Sequence, residues 1–249
     1  MLSGAGAVKS SIPAVNCAIA SFSPKGTYIL TWERLTDDLQ NKGGNLRVSQ
    51  AATGEFVGGF VQKSFSKEAW PYVKWSSDEM IASMKITDGV HLFAGNDIAK
   101  GVIGKVPHEK MTSFGMAPGP APYKFATFSP EKGDKPAQIK TWVYPNLKEA
   151  VGNKTMFRAS DAEIKWSPNG QAGLVKTTTD VDATGKSYYG ESKLAFVRVP
   201  SHQATPAFIS SVDPSVHPTI HLQLLEYIST HPCVVLALDG WSCGCDVGG

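Results

Sequence analysis

A fourfold recurrence constrains this chain more than any other feature. Phe22-Ser-Pro-Lys-Gly-Thr-Tyr-Ile-Leu-Thr-Trp32 joins a large apolar residue to a tight polar turn and then to a β-rich run. Trp75-Ser-Ser-Asp-Glu-Met-Ile-Ala-Ser-Met84 and Trp166-Ser-Pro-Asn-Gly-Gln-Ala-Gly-Leu-Val175 follow the same plan, and Met116-Ala-Pro-Gly-Pro-Ala-Pro-Tyr-Lys-Phe-Ala-Thr-Phe128 is a looser copy. The anchors stand 53, 41 and 50 residues apart. Propeller blades of the WD40 type recur every ~40–45 residues, so these intervals fit blades carrying loop insertions.

Each anchor is followed by a further short strand: Leu46–Gln50, Val90–Phe93, Gln138–Tyr144 and Leu194–Val199. In Gln138–Tyr144, Ile139, Thr141 and Val143 fall on one face while Lys140 and Trp142 fall on the other. Ser-Pro-x-Gly is turn chemistry, because proline presets φ and glycine accepts the left-handed region. Turn signals recur too often for long helices, so the expected class is all-β: a partial β-propeller of about four blades. An all-β sandwich of hairpins is the competing architecture, since the chain has neither a Trp-Asp dipeptide nor a Gly-His pair.

Charge divides the chain. All 24 Lys and Arg lie between Lys9 and Arg198, which leaves the first 198 residues at +6. The remainder holds no Lys or Arg and four acids, for −4, together with three of the four Cys and four of the six His. So abrupt a shift reads as two pieces of different origin joined together. The expected divisions are an N-terminal lead over 1–15, a partial propeller over 16–199 and a divergent, weakly ordered tail over 200–249.

Hydrophobic content of 42% and charged content of 18% describe a globular chain. Met1–Ala20 has no basic region ahead of an apolar run, and Val234–Leu238 is too short to span a bilayer. The body has one cysteine, Cys17, so no disulfide framework is expected. A cytoplasmic location follows, and the Asn153-Lys154-Thr155 sequon reads as chance.

Three stretches resemble eukaryotic translation initiation factor 2A. Cys17-Ala-Ile-Ala-Ser-Phe-Ser-Pro-Lys-Gly-Thr-Tyr-Ile-Leu-Thr-Trp32 is similar to an early blade of that family, and Ala117-Pro-Gly-Pro-Ala-Pro-Tyr-Lys124 resembles its proline-rich turn. Thr178-Thr-Asp-Val-Asp-Ala-Thr-Gly-Lys-Ser-Tyr-Tyr-Gly-Glu191 is similar to its most recognisable segment. The likeness runs in order over residues 16–199. It implies part of a larger WD40-like ring and a role in starting protein synthesis, with the small ribosomal subunit and initiator tRNA as partners. It also implies that blades before Cys17 and after Val199 are missing, as is a Lys-rich C-terminal region. Residues from Ser201 onward do not resemble the family; a shifted frame, retained intron or faulty gene model would produce that mismatch. An incomplete ring leaves two blade faces uncovered, so poor stability of the isolated chain is expected.

No catalytic, cofactor-binding or metal site is expected. Asp180-Val-Asp-Ala-Thr-Gly-Lys-Ser-Tyr-Tyr-Gly-Glu191 nearly spells an EF-hand loop, but strand-like flanks make it a hairpin loop, with Ser187 where an apolar residue belongs. His231, Cys233, Cys243 and Cys245 lack the spacing of a zinc finger. The chain has no Gly-x-Ser-x-Gly, phosphate-loop or dinucleotide motif, and His91 and His108 find no acid partner by spacing. Trp75, Trp166, Met80 and Met84 read as packing between blades. Lys63, Lys67, Lys74, Lys100, Lys105 and Lys110 are scattered among loops and edges; a propeller could gather some of them on one rim for RNA phosphate, the alternative being ordinary solubility. The function implied is a non-catalytic binding platform in translation initiation. The alternative is a general WD40-type scaffold with no direct role in translation.

Overall fold

In a computed structural model, each of the four anchors closes the first strand of a four-stranded sheet, and the turn behind it reverses the chain into the second. The structure describes residues 11–14, 16–179, 191–199 and 208–212. The first sheet is β1 (Cys17–Phe22), β2 (Tyr28–Glu33), β3 (Leu46–Gln50) and β4 (Phe56–Phe60). The second is β5 (Val73–Trp75), β6 (Ile81–Ile86), β7 (Gly89–Ala94) and β8 (Asp97–Pro107). The third is β9 (Ser113–Met116), β10 (Tyr123–Ser129), β11 (Ala137–Tyr144) and β12 (Gly152–Met156). The fourth is β13 (Asp161–Trp166), β14 (Ala172–Thr179), β15 (Glu191–Arg198) and β16 (Phe208–Val212). Strands pair in sequence order within every sheet, and all four sheets are antiparallel. The class is therefore all-β, and four successive meanders of this kind are blades of a partial β-propeller.

The inner strands carry the apolar side chains that hold the sheets. All seven residues of β10 are buried, and β11 alternates as expected, with Ala137, Ile139 and Thr141 inside. Trp142, on the other face, is also buried, because its indole N–H donates to the Thr127 hydroxyl at 2.9 Å. Among the described residues one short helix interrupts the strands, α1 (Asp37–Asn41). The Thr36 hydroxyl caps it by accepting from the Leu39 N–H at 3.2 Å, and Asp37 and Asp38 sit in its first turn.

The chain divides into two compact units, Met1–Met111 with Tyr144–Lys148 and Thr112–Val143 with Glu149–Gly249. In the first unit, Leu30, Leu46 and Val48 of the first sheet share a core with Val73, Trp75, Ala82 and Phe93 of the second. Tyr28 stacks on Trp75 at 6.1 Å between ring centroids, and Phe60 meets Phe93 edge-on at 5.0 Å. Buried Asn45 ties sheet to connection by donating to the Glu33 and Gln62 carbonyls and accepting from the Gln62 N–H. In the second unit, Phe128, Ile139 and Met156 share a core with Val175, Ala195 and Val197. Gly115 lets β9 close on β13: a Cβ there would lie 2.8 Å from the Ile164 side chain and 3.2 Å from the Trp166 indole nitrogen. Trp75 and Trp166 thus occupy matching places, each against the preceding sheet. Phe22, at the same repeat position, is 60% exposed.

β16 is drawn from residues that the composition break assigns to the tail. Pro218–Ile228, where a leading proline and Ile220, Leu224 and Ile228 suit a short helix, and Val234–Leu238, an apolar run that suits a strand, lie outside the described residues with the rest of the tail, the lead 1–10 and residues 180–190. Among the described residues, no helix is long and apolar enough to cross a membrane.

Candidate functional site

Three of the four anchor turns are built alike. Ser23, Ser76 and Ser167 each follow the first strand. Their N–H groups donate across the turn to Tyr28, Ile81 and Ala172, at 3.0, 2.8 and 2.8 Å. Their hydroxyls accept in return from the N–H of those same residues, at 2.9, 3.1 and 3.1 Å. Three residues further on, each chain passes through the left-handed region: Gly26 at φ 75°, Glu79 at 62° and Gly170 at 64°. Two of the three are glycine, as the conformation prefers; the second repeat puts a glutamate there.

Glu79 turns that exception into a contact. Its side chain leaves the second sheet's turn and enters the first sheet's turn, where it accepts from the Lys25 N–H at 2.7 Å. Ser23 and Thr27 lie beside the same carboxylate and favour its charged form. Burial pushes its pKa up, but Ser23, Thr27 and the Lys25 N–H together outweigh burial and hold it below the usual carboxylate range. The first two turns are therefore latched by one buried negative charge.

The corresponding junction in the second unit has a different filling. Here the loose repeat, the proline-rich turn from Ala117 to Lys124, faces the turn carrying Gly170. A Cβ on Gly170 would lie 2.0 Å from the Pro118 carbonyl oxygen, so only glycine permits the approach. A cavity of about 240 Å³ remains between the turns, walled by Pro118, Pro120, Pro122 and Gln171. Lys124 is the one charged residue lining it and is only 7% exposed. Its ammonium donates to the Gly170 carbonyl at a long 3.4 Å, and burial lowers its pKa. An ammonium has three N–H donors and this one makes a single long bond, so the group is a cation with capacity to spare.

The other residues of interest fall elsewhere. His91 lies half-buried on β7, opposite Met84 and Lys105, and its pKa is lowered by burial and by the Lys105 charge. His108 is buried after β8, where its N–H donates to the Asp88 carbonyl. Met80 is exposed and Met84 lies against the first unit's core. The near-EF-hand residues Asp180 to Gly190 and the set His231, Cys233, Cys243 and Cys245 lie outside the described residues. Among the described residues no group of three or more His, Cys, Asp or Glu could hold a metal. Lys63, Lys67, Lys74, Lys100, Lys105 and Lys110 are all exposed. Lys63 and Lys67 lie on the segment entering β5 and Lys110 on the segment leaving β8; the antiparallel order of four strands brings both segments to one end of the second sheet.

The pocket and the Glu79 latch were not legible as sites. One signal existed: aligning the repeats sets Glu79 opposite Gly26 and Gly170, the place where a side chain is least expected.

Comparison with known proteins gives a consistent result. A family model described as eukaryotic translation initiation factor eIF2A matches residues 154–217. The chain is 39% identical over 198 residues to "Eukaryotic translation initiation factor 2A" of Dictyostelium discoideum, covering 78% of this chain and 32% of that protein. It is 35% identical over 190 residues to the protein of that name in Schizosaccharomyces pombe, covering 76% and 32%. It is also 28% identical to a component of eukaryotic translation initiation factor 3 from Pyricularia oryzae, over 70% of this chain and 26% of that protein. A solved structure titled "Crystal structure of the eukaryotic initiation factor" superposes with a TM-score of 0.63 at 28% identity, covering 78% of this chain and 53% of that one. The chain spans about a third of the length of the curated relatives it matches.

Proposed function

The chain belongs to the eukaryotic translation initiation factor 2A family, and from that premise we propose that it is a non-catalytic binding platform for the small ribosomal subunit and initiator tRNA, acting in the cytoplasm. The observation that carries this reading is the alignment of three-quarters of the chain, in order, with initiation factors of that name. Similarity to a component of initiation factor 3 points towards partners in the same machinery. The exposed lysines supply the physical means. Each ammonium that neutralises a phosphate releases a counterion, so affinity for RNA falls steeply as salt rises. Lys63 and Lys67 on the segment entering β5, with Lys110 on the segment leaving β8, are the cations we assign to phosphate contact.

Sedimentation through sucrose with purified small ribosomal subunits, with and without initiator tRNA, tests the reading. The chain is expected to travel with the ribosomal particle at ~50 mM salt and to be released by ~200 mM. Reversing the three charges (Lys63→Glu, Lys67→Glu, Lys110→Glu) should lower affinity at least tenfold and flatten the salt dependence by roughly one unit of slope per lysine. A folded chain that stays at the top of the gradient at every salt concentration would remove the RNA-linked reading and leave the general protein-interaction scaffold.

A further inference from the structure

We propose that the cavity between the proline-rich turn after β9 and the turn after β13 receives a single carboxylate side chain from an acidic peptide partner, held by the Lys124 ammonium.

The first unit shows what such a junction is built to hold. There the turn after β1 meets the turn after β5, and the space between them is closed by the Glu79 carboxylate. In the second unit the residue equivalent to Glu79 is Gly170, which brings no side chain. Among the described residues, none that lines this junction is an anion. Lys124, over nine-tenths buried, supplies a positive charge where the first unit offers only neutral donors. A buried cation with one 3.4 Å hydrogen bond is under-compensated, and an arriving carboxylate would supply the missing partner.

The walls select a peptide over RNA. Pro118, Pro120 and Pro122 offer aliphatic surface suited to the stem of a glutamate and its neighbouring backbone. Tyr123 lies along the same turn but is only 7% exposed, so it gives a nucleobase no ring to stack on. A phosphodiester backbone is tracked by a row of cations, whereas this cavity has one. The partner chemistry is thus a segment rich in Asp or Glu, with one side chain entering and the rest lying on the prolines. This proposal is independent of the ribosomal reading, which is carried by the alignment with initiation factors and tested on lysines of the other unit.

The test uses the full chain and fluorescence anisotropy with fluorescein-labelled octaglutamate, octaglutamine and octauridylate. Octaglutamate is expected to bind and octaglutamine not to. Lys124→Met, which keeps the aliphatic stem, should weaken octaglutamate binding at least tenfold while leaving the thermal transition in place. Octauridylate affinity should be the same in both chains. If Lys124→Met binds octaglutamate as well as the wild type, or octaglutamine binds equally, the proposal fails. If octauridylate loses affinity in step with octaglutamate, the site is a phosphate site and the proposal also fails. Should Lys124→Met not fold, the Lys124 Cε resonance of the wild-type chain decides the matter. It is expected to shift on adding octaglutamate and not octaglutamine, and its failure to move overturns the assignment.

Discussion

A glutamate at φ 62° is costly, since left-handed backbone disfavours any residue with a Cβ by about 1–2 kcal/mol. Glu79 holds that conformation because its carboxylate accepts from the neighbouring turn, from the Lys25 N–H at 2.7 Å. Two effects can therefore be set against each other in one variant. Glu79→Gly relieves the backbone but removes the Lys25 hydrogen bond to a charge, worth about 1.5–3 kcal/mol, along with the support of Ser23 and Thr27. The net expectation at neutral pH is a loss of about 1–2 kcal/mol in urea unfolding. The folded-state pKa lies below the ordinary 4.5, so the carboxylate's contribution is complete above that value and disappears as pH falls through the folded pKa. The gap between Glu79→Gly and wild type should narrow over that acid window. A gap that does not change with pH would show that the charge plays no part. Ser-Ser-Asp-Glu taken alone does not announce this role, because the chemistry depends on a turn 54 residues away; only its alignment with the other repeats marks the position.

At the scale of elements, the anchors and the strands after them were legible, while the outer strands were not. Leu46–Gln50 appears as β3 with the expected ends, and Val90–Phe93 lies within β7. These inner strands are apolar enough to read from pattern alone. β8, by contrast, exposes most of its eleven residues and contains two glycines, so neither face of Asp-Ile-Ala-Lys-Gly-Val-Ile-Gly-Lys-Val-Pro carries a clear period. The third-repeat turn was legible from its prolines, but the burial of Lys124 was not, since it depends on Gly170 arriving opposite. Contact between sheets also rests on a residue that lacks a side chain. Gly115→Val would press on Ile164 and Trp166 and should lower stability by about 1–3 kcal/mol in thermal or urea unfolding. Thr155→Val, at an exposed position of β12, should stay within ~0.5 kcal/mol of wild type. Equal effects from the two would mean that β9 does not lie against β13.

For the whole molecule, charge and pairing give different boundaries. Basic residues stop at Arg198, yet β16 pairs with β15 from Phe208 to Val212, and the family match runs to residue 217. Lys and Arg content reports on solvation and partners, whereas a ladder needs only backbone groups and a tolerable pattern, so a composition break need not mark the end of a sheet. The larger claim is that this chain is a succession of four-stranded meanders, each supported by its first turn. Amide hydrogen exchange followed strand by strand on the full chain tests it most directly. Four maxima of protection are predicted, at β2–β3, β6–β7, β10–β11 and β14–β15, each flanked by faster exchange in the outer strands of the same sheet. Exchange from β6 and β7 as fast as from β8, or one uninterrupted protected block across the anchor turns, would contradict the account.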